Sequence, residues 1–263
     1  MFRFGSSTAK ASPEFVPADD ARAWIANGLR DVVAALGPVA EAPRRVVVPP
    51  TPSTPKDPDA LFELICETQS YLDQDDLEFT MLEPARDPQK SPLPPGAVPL
   101  GDPQGHMIHT FRRGDELMLL VMPPVFRSPE LLLGNLAREL GRMGLVQRGF
   151  DSDIGELDAE AAAELAGIAL GMGVWLANGA YMFENACCGG GCGIDLSGIQ
   201  AALSMPEACF ALALDGNRKG IGRRHLAKAL SPTQKSAFKQ NWKVSSTSLP
   251  ALAAAPSPAA LAG

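Results

Sequence analysis

From Leu165 to Phe183 the chain runs nineteen residues without a charge. A segment of that length is about long enough to span a bilayer. Uniform apolarity equally marks a helix buried at the centre of a fold. The composition favours burial. The run is rich in Ala and Gly, Asn178 interrupts it, and Glu164 and Glu184 bound it. The reading is a central core helix, starting near Glu156 to Ala159, with a break expected at its glycines. Gly167 and Gly171, four apart, form a ridge of small residues that lets another element approach closely.

The totals agree with a core of this kind. A chain of 263 residues, 46% hydrophobic and 20% charged, is ordinary for a globular protein, and its length fits one large domain or two small ones. A net charge of −7 argues against nucleic acid as the main partner, because phosphate binding needs a positive field. The first fifteen residues hold no apolar stretch, so no secretory signal is expected. Five cysteines, three of them within six residues, make a poor disulfide framework. Both points lead to a reducing cytoplasm as the expected location.

In chain order, residues 1–19 read as a disordered tail and 20–43 as an N-terminal helix and linker. Ile25, Leu29, Val32, Val33 and Leu36 recur there at helical spacing, and Gly37-Pro38 stops the helix. Arg44 to Val48 is β-branched and reads as a short strand. A helix from Pro58 is expected to carry Leu61, Phe62, Ile65 and Cys66 on its apolar side. Leu77 to Leu82 alternates like a strand. Residues 84–105 hold seven prolines, which implies a long irregular loop or a flap over a cleft. Residues 106–122 read as a β-hairpin about Arg113-Gly114-Asp115. His106 and His109, an odd number of positions apart, should face opposite sides of its strand and make a poor metal pair. The last twenty residues, 244–263, are low in complexity and read as a tail.

The stretch Ser128–Glu164 carries the candidate site. Ser128-Pro129-Glu130 opens a helix with an N-cap, a proline at the first position and an acid in the first turn. Leu132, Leu136, Leu140 and Met143 form its core stripe, and Gly144 is its expected end. Within it lies Ala137-Arg138-Glu139-Leu140-Gly141-Arg142. About one loop later comes Glu160-Ala-Ala-Ala-Glu164.

This pattern resembles a group of uncharacterised bacterial zincin-like proteins. They read A-H-E-L-G-H, then E-x-x-x-D-L, then an apolar G-x-G helix ending in A-N. Gly171-Met172-Gly173 and Ala177-Asn178 match that last element. In a zincin the two histidines, one turn apart, hold Zn²⁺, and the intervening glutamate is the general base on the metal-bound water. Here both histidines are arginine, and the expected Asp is Glu164. Arginine stays protonated and offers no lone pair to a metal. The resemblance therefore implies a degenerate site: no zinc at Arg138/Arg142, no zinc peptidase activity and no cofactor expected. The two guanidiniums, together +2 like the ion, are expected to pair with Glu160 and Glu164. On solvated helix faces R-E-x-x-R also occurs without any such role.

Two further features stay open. Cys187, Cys188 and Cys192 lie on a glycine-rich turn, with Cys209 as a possible fourth thiol. Such a set could hold zinc or an iron–sulfur cluster, form a redox pair, or simply pack in a tight turn. Residues 218–243 hold eight Lys or Arg and no acid. A solvated helix pair packed through Ile221, Leu226, Leu230 and Phe238 is the expectation, with no nucleic-acid motif. The whole reads as an α+β fold, a zincin-like single domain over 44–243 with a small sheet packed on several helices. Two functions follow from it: a non-catalytic pseudo-peptidase that binds a protein or peptide, or an enzyme or metal/redox protein working through the cysteine turn.

Overall fold

The uncharged run is enclosed on nearly every side as far as Ala180. In the computed structural model, 89% of the apolar stretch within Ala159–Ala180 is buried inside the fold. The structure describes residues 15–41, 46–48, 54–84, 91–151, 153–184 and 201–253, with the backbone alone at 181–184.

The chain begins with helices α1 (Asp19–Leu36), α2 (Pro38–Glu41) and α3 (Pro58–Tyr71). Four strands follow: β1 (Thr80–Leu82), β2 (Val98–Pro99), β3 (Ile108–Arg113) and β4 (Glu116–Val121). The remainder is helical: α4 (Pro129–Val146), α5 (Ala159–Gly167), α6 (Gly173–Glu184), α7 (Met205–Arg218), α8 (Arg223–Lys228), α9 (Pro232–Ser245) and α10 (Leu249–Leu252). The sheet order is β1-β4-β3-β2, with β1 parallel to β4 and the other pairs antiparallel. This is the α+β arrangement expected, a small mixed sheet against a body of helices.

Helix starts follow local chemistry. Asp57, Ser128 and Asp158 each accept a backbone N–H three residues on, at 2.9, 3.4 and 2.8 Å. Pro58 and Pro129 occupy first helical positions. Ser204 and Glu207 form a capping box at the start of α7. Of these, Ser128 with Pro129 and Asp158 set the starts of α4 and α5, the two helices that carry the candidate site.

The expected break in the core helix is a π-helical turn at Ile168–Met172, where Gly171 takes φ 103°. Such a turn opens the backbone ladder. Two of its carbonyls find outside partners: Ala169 O accepts from Lys219 Nζ, and Gly171 O accepts from Val47 N at 2.9 Å. Gly167 does lie on a close-packing ridge, but its partner is Gly141 on α4. A Cβ on Gly141 would overlap Ala163 O, and one on Gly167 would overlap Ala137 O. Thus α4 and α5 meet backbone to backbone. Gly171 serves the turn instead.

Several local expectations change. Of the strand expected over 44–48, residues 44–45 lie outside the described residues, and Val46–Val48 form no strand; the Val47 N–H goes to the π turn instead. Cys66 is exposed, not on the apolar side. The buried stripe of α3 runs through Leu61, Ile65, Thr68 and Gln69, and Phe62 and Cys66 sit one step off it. Only Thr80–Leu82 of the segment 77–82 pairs as a strand. The helix α4 continues two residues past Gly144. Of the expected tail 1–19, residues 1–14 lie outside the described residues; Asp19 already belongs to α1, and Phe15 O accepts Asn241 Nδ2 at 2.8 Å. Of the expected tail 244–263, residues 254–263 lie outside the described residues; α9 runs to Ser245, and Leu249 and Leu252 pack on the core.

Residues 218–243 do form two helices, and Ile221, Leu226, Leu230 and Phe238 are buried. The first two of their cations are paired. Lys219 Nζ lies 3.0 Å from Asp215 Oδ2 and Arg218 Nη2 lies 2.7 Å from Asp215 Oδ1, so one acid at the end of α7 gathers both. Asn178, the polar break in the uncharged run, docks α6 on the α8–α9 turn. Its side chain donates to Ala229 O at 3.2 Å and accepts Ser231 N at 3.0 Å.

Candidate functional site

The first site residues come from one face of α4. Helical spacing puts Asn135, Arg138, Glu139 and Arg142 within about two turns on one side of the helix, and all four are buried. Glu139 is wholly enclosed. Its Oε1 accepts Arg138 Nε at 2.7 Å. Its Oε2 accepts Arg142 Nε at 3.1 Å, Thr110 N at 2.9 Å and Thr110 Oγ1 at 2.8 Å. Burial alone would raise its proton affinity, but the Arg142 and Arg138 guanidiniums outweigh it and hold the carboxyl far below the usual range.

The second layer comes from the first turn of α5 and from the loop before β3. Glu160 Oε2 accepts Arg142 Nη2 at 2.7 Å and lies 3.6 Å from Arg138 Nε. Its Oε1 accepts Asp102 N at 3.0 Å. Burial opposes its charge, while the bond from His106 and the Arg142 charge lower its pKa overall. Arg142 is the counterpart: burial weakens its hold on the proton, and Glu139 and Glu160 more than restore it. Arg138 also donates to Ile108 O and Asn135 Oδ1, each at 3.0 Å.

The ring of His106 links the parts. Its Nδ1 lies 2.7 Å from Arg138 Nη1, and its Nε2 lies 3.2 Å from Glu160 Oε2. A guanidinium can only donate. We therefore assign Nδ1 as the acceptor and Nε2 as the N–H that donates to Glu160.

His106 and His109 do not face opposite sides, as strand alternation suggested. Their rings stack with centroids 5.8 Å apart and 5° between planes. His106 precedes the first residue of β3, so the alternation rule does not reach it. His109 is buried against Phe111, with neither ring nitrogen hydrogen-bonded. Burial lowers its pKa to about 4, so the ring stays neutral.

The expectation for Glu164 is corrected too. It pairs with neither arginine. Its carboxylate accepts Ala202 N at 3.0 Å and Leu203 N at 2.9 Å, fastening the segment that leads into α7. Burial pushes its pKa up to about 7, against the Arg138 charge and these two N–H bonds. Cys187, Cys188 and Cys192 lie outside the described residues. Cys209 is buried on α7, its Sγ 3.6 Å from Gln234 O and 4.0 Å from Met205 Sδ.

Four contributors escaped the sequence reading: Thr110, Asn135, His106 and the Gly101-Asp102 turn. Asn135 had a signal, since it lies one turn before Arg138 and Glu139. The other three reach the site through tertiary packing alone.

The chemistry of the cluster is narrow. Two guanidiniums and two carboxylates balance in charge. Both oxygens of Glu139 are engaged, and its affinity for a proton is depressed, so it is a poor general base. Among the described residues, no group of three or more His, Cys, Asp or Glu converges as a metal site. Comparison with known proteins adds nothing further: no family model, no curated protein and no solved structure matches the chain.

Proposed function

We propose that this protein is a zincin-like scaffold in which arginines stand where metal ligands once stood, and that it acts without catalysis by binding a protein or peptide. One observation carries the reading. Glu139, at the position of a zincin's general base, has both oxygens bound by Arg138, Arg142 and Thr110. A carboxylate held this way neither takes a proton from water nor faces a metal. The guanidiniums supply the charge that an ion would supply, and they tie α4 to α5 through Glu160. Strand β3 and the Gly101–Asp102 turn edge the cluster, and the hairpin β3–β4 with residues 91–105 is the proposed binding surface.

The test is metal content and hydrolysis in one preparation. Purified chain is incubated with zinc, desalted and analysed, then offered quenched-fluorescence peptides with and without chelator. The expected result is no bound zinc that depends on Glu160 and no chelator-sensitive cleavage. The chain carrying Arg138→His with Arg142→His is expected to take up zinc, and Glu160→Ala in that background to abolish the uptake. Chelator-sensitive hydrolysis by the unaltered chain overturns the proposal.

A further inference from the structure

The outer edge of β3 is covered by two different kinds of group. On one part, β2 pairs Val98 with Arg112 and Pro99 with Phe111, and Leu100 N donates to Thr110 O at 3.0 Å. One step along, Thr110 N donates to Glu139 Oε2 and Ile108 O accepts Arg138 Nη2. The two site side chains thus continue the row of hydrogen bonds that β2 begins. An uncovered strand edge is a template for another strand. Here the cover is a segment of the chain itself, which then crosses the charge cluster, where Asp102 N reaches Glu160.

That segment is lightly held. β2 is two residues long, and both are exposed, Val98 at 51%. Pro99 has no N–H to give. Leu100 is its one well-buried side chain, at 4%. Gly101 then takes φ +78°, and a Cβ there would overlap the Glu160 carboxylate and the Arg142 guanidinium. A larger residue here would have to push the Glu160 and Arg142 ends out of their hydrogen bonds.

We propose that Val98–Asp102 is an internal stand-in for an extended peptide of a partner protein. The partner docks by replacing it on the β3 edge, with an apolar residue in the place of Leu100, a glycine against Arg142 and Glu160, and a following N–H bonded to Glu160. This rests on the peptide-binding reading above. Main-chain pairing provides affinity, and the Leu100 and Gly101 positions provide selectivity. The tethered segment competes at high local concentration and weakens binding of the partner.

The test uses the full chain, unaltered and with Gly101→Val, and a fluorescent peptide of residues 97–104. A β-branched residue at positive φ is strongly disfavoured, and this one also meets the cluster, so the segment lifts away. The Gly101→Val chain is expected to bind the peptide about tenfold more tightly than the unaltered chain. The same peptide carrying the Gly→Val change is expected to bind neither. Equal affinity for the two chains, indifference to the glycine, or self-association of the Gly101→Val chain in place of peptide binding overturns the proposal.

If that variant does not fold, hydrogen exchange on the unaltered chain decides. The Leu100 and Asp102 amides are expected to exchange through a local opening while β3–β4 amides stay protected. Protection equal to that of the β3–β4 ladder overturns it. Zinc held at Glu160 would remove the functional reading alone, because neither the exchange nor the peptide measurement depends on metal.

Discussion

Glu139 and Glu164 lie on adjacent helices that touch backbone to backbone, and both are shut off from water. Their proton affinities move in opposite directions. Glu139 faces two guanidiniums at hydrogen-bond distance and is held as an anion. Glu164 faces two backbone N–H groups, with Arg138 farther off, and burial wins. Burial is nearly the same for the two. The identity of the donor decides the outcome, since a full positive charge offsets desolvation and two amide dipoles do not.

The largest expected effect breaks the Glu139 side. Glu139→Gln leaves two buried guanidiniums short of an anion, and removing one partner of a buried charge network costs about 3–5 kcal/mol. Urea unfolding at neutral pH measures it, and a loss under about 1 kcal/mol would show that the cluster is solvated like a surface pair. The sign with pH follows from the depressed pKa. The contribution of Glu139 is present above the unfolded value of 4.5 and is lost as pH falls below it, so the acid slope should shrink in the variant.

Glu164 should behave in reverse. Its folded pKa of about 7 lies above the unfolded 4.5. Its stabilising contribution is therefore full below 4.5 and is lost as pH rises through about 7. Glu164→Gln should remove that fall, a difference on the order of 3 kcal/mol across the window. Parallel denaturation curves at acid and mildly alkaline pH read it out. Identical pH profiles for parent and variant would erase the contrast.

Two smaller changes sharpen it. Arg142→Lys keeps a charge near Glu160 but loses the fixed fork that also reaches Glu139, with an expected cost of about 1.5–3 kcal/mol in thermal or urea unfolding. Thr110→Val removes one hydroxyl bond to Glu139 and leaves the backbone N–H bond, with an expected cost of about 1 kcal/mol. A Thr110→Val effect as large as that of Arg142→Lys would mean that the strand, not the arginines, holds Glu139.

The site was partly legible before the structure. Arg138, Glu139 and Arg142 share a face of one helix by spacing alone, and capping chemistry placed that helix correctly at Ser128. Glu160 could be read as their partner because it stands at an acidic position of the motif that the arginines' pattern resembles. Glu164 shares a face with Glu160 by the same spacing, yet it turns to Ala202 and Leu203. Helical period says which residues point the same way, not what lies opposite each turn. His106 stacks on His109 because it lies before the first residue of β3, where strand alternation no longer holds. Lys219 looked like a surface charge, and only the π turn beneath it shows why it is buried.

What the sequence determined by itself was local and periodic: the cap at Ser128, the hairpin about Gly114, the uncharged core run and its glycine break. These depend on neighbours a few positions away, where residue type decides the conformation. Only the tertiary structure decided which buried charge meets which partner. Glu139 and Glu164 differ in what lies across from them, and the Val98–Asp102 segment reaches the β3 edge from outside either helix. Such pairings depend on how α4, α5 and the sheet dock, and no spacing along one chain encodes a direction across the gap between elements.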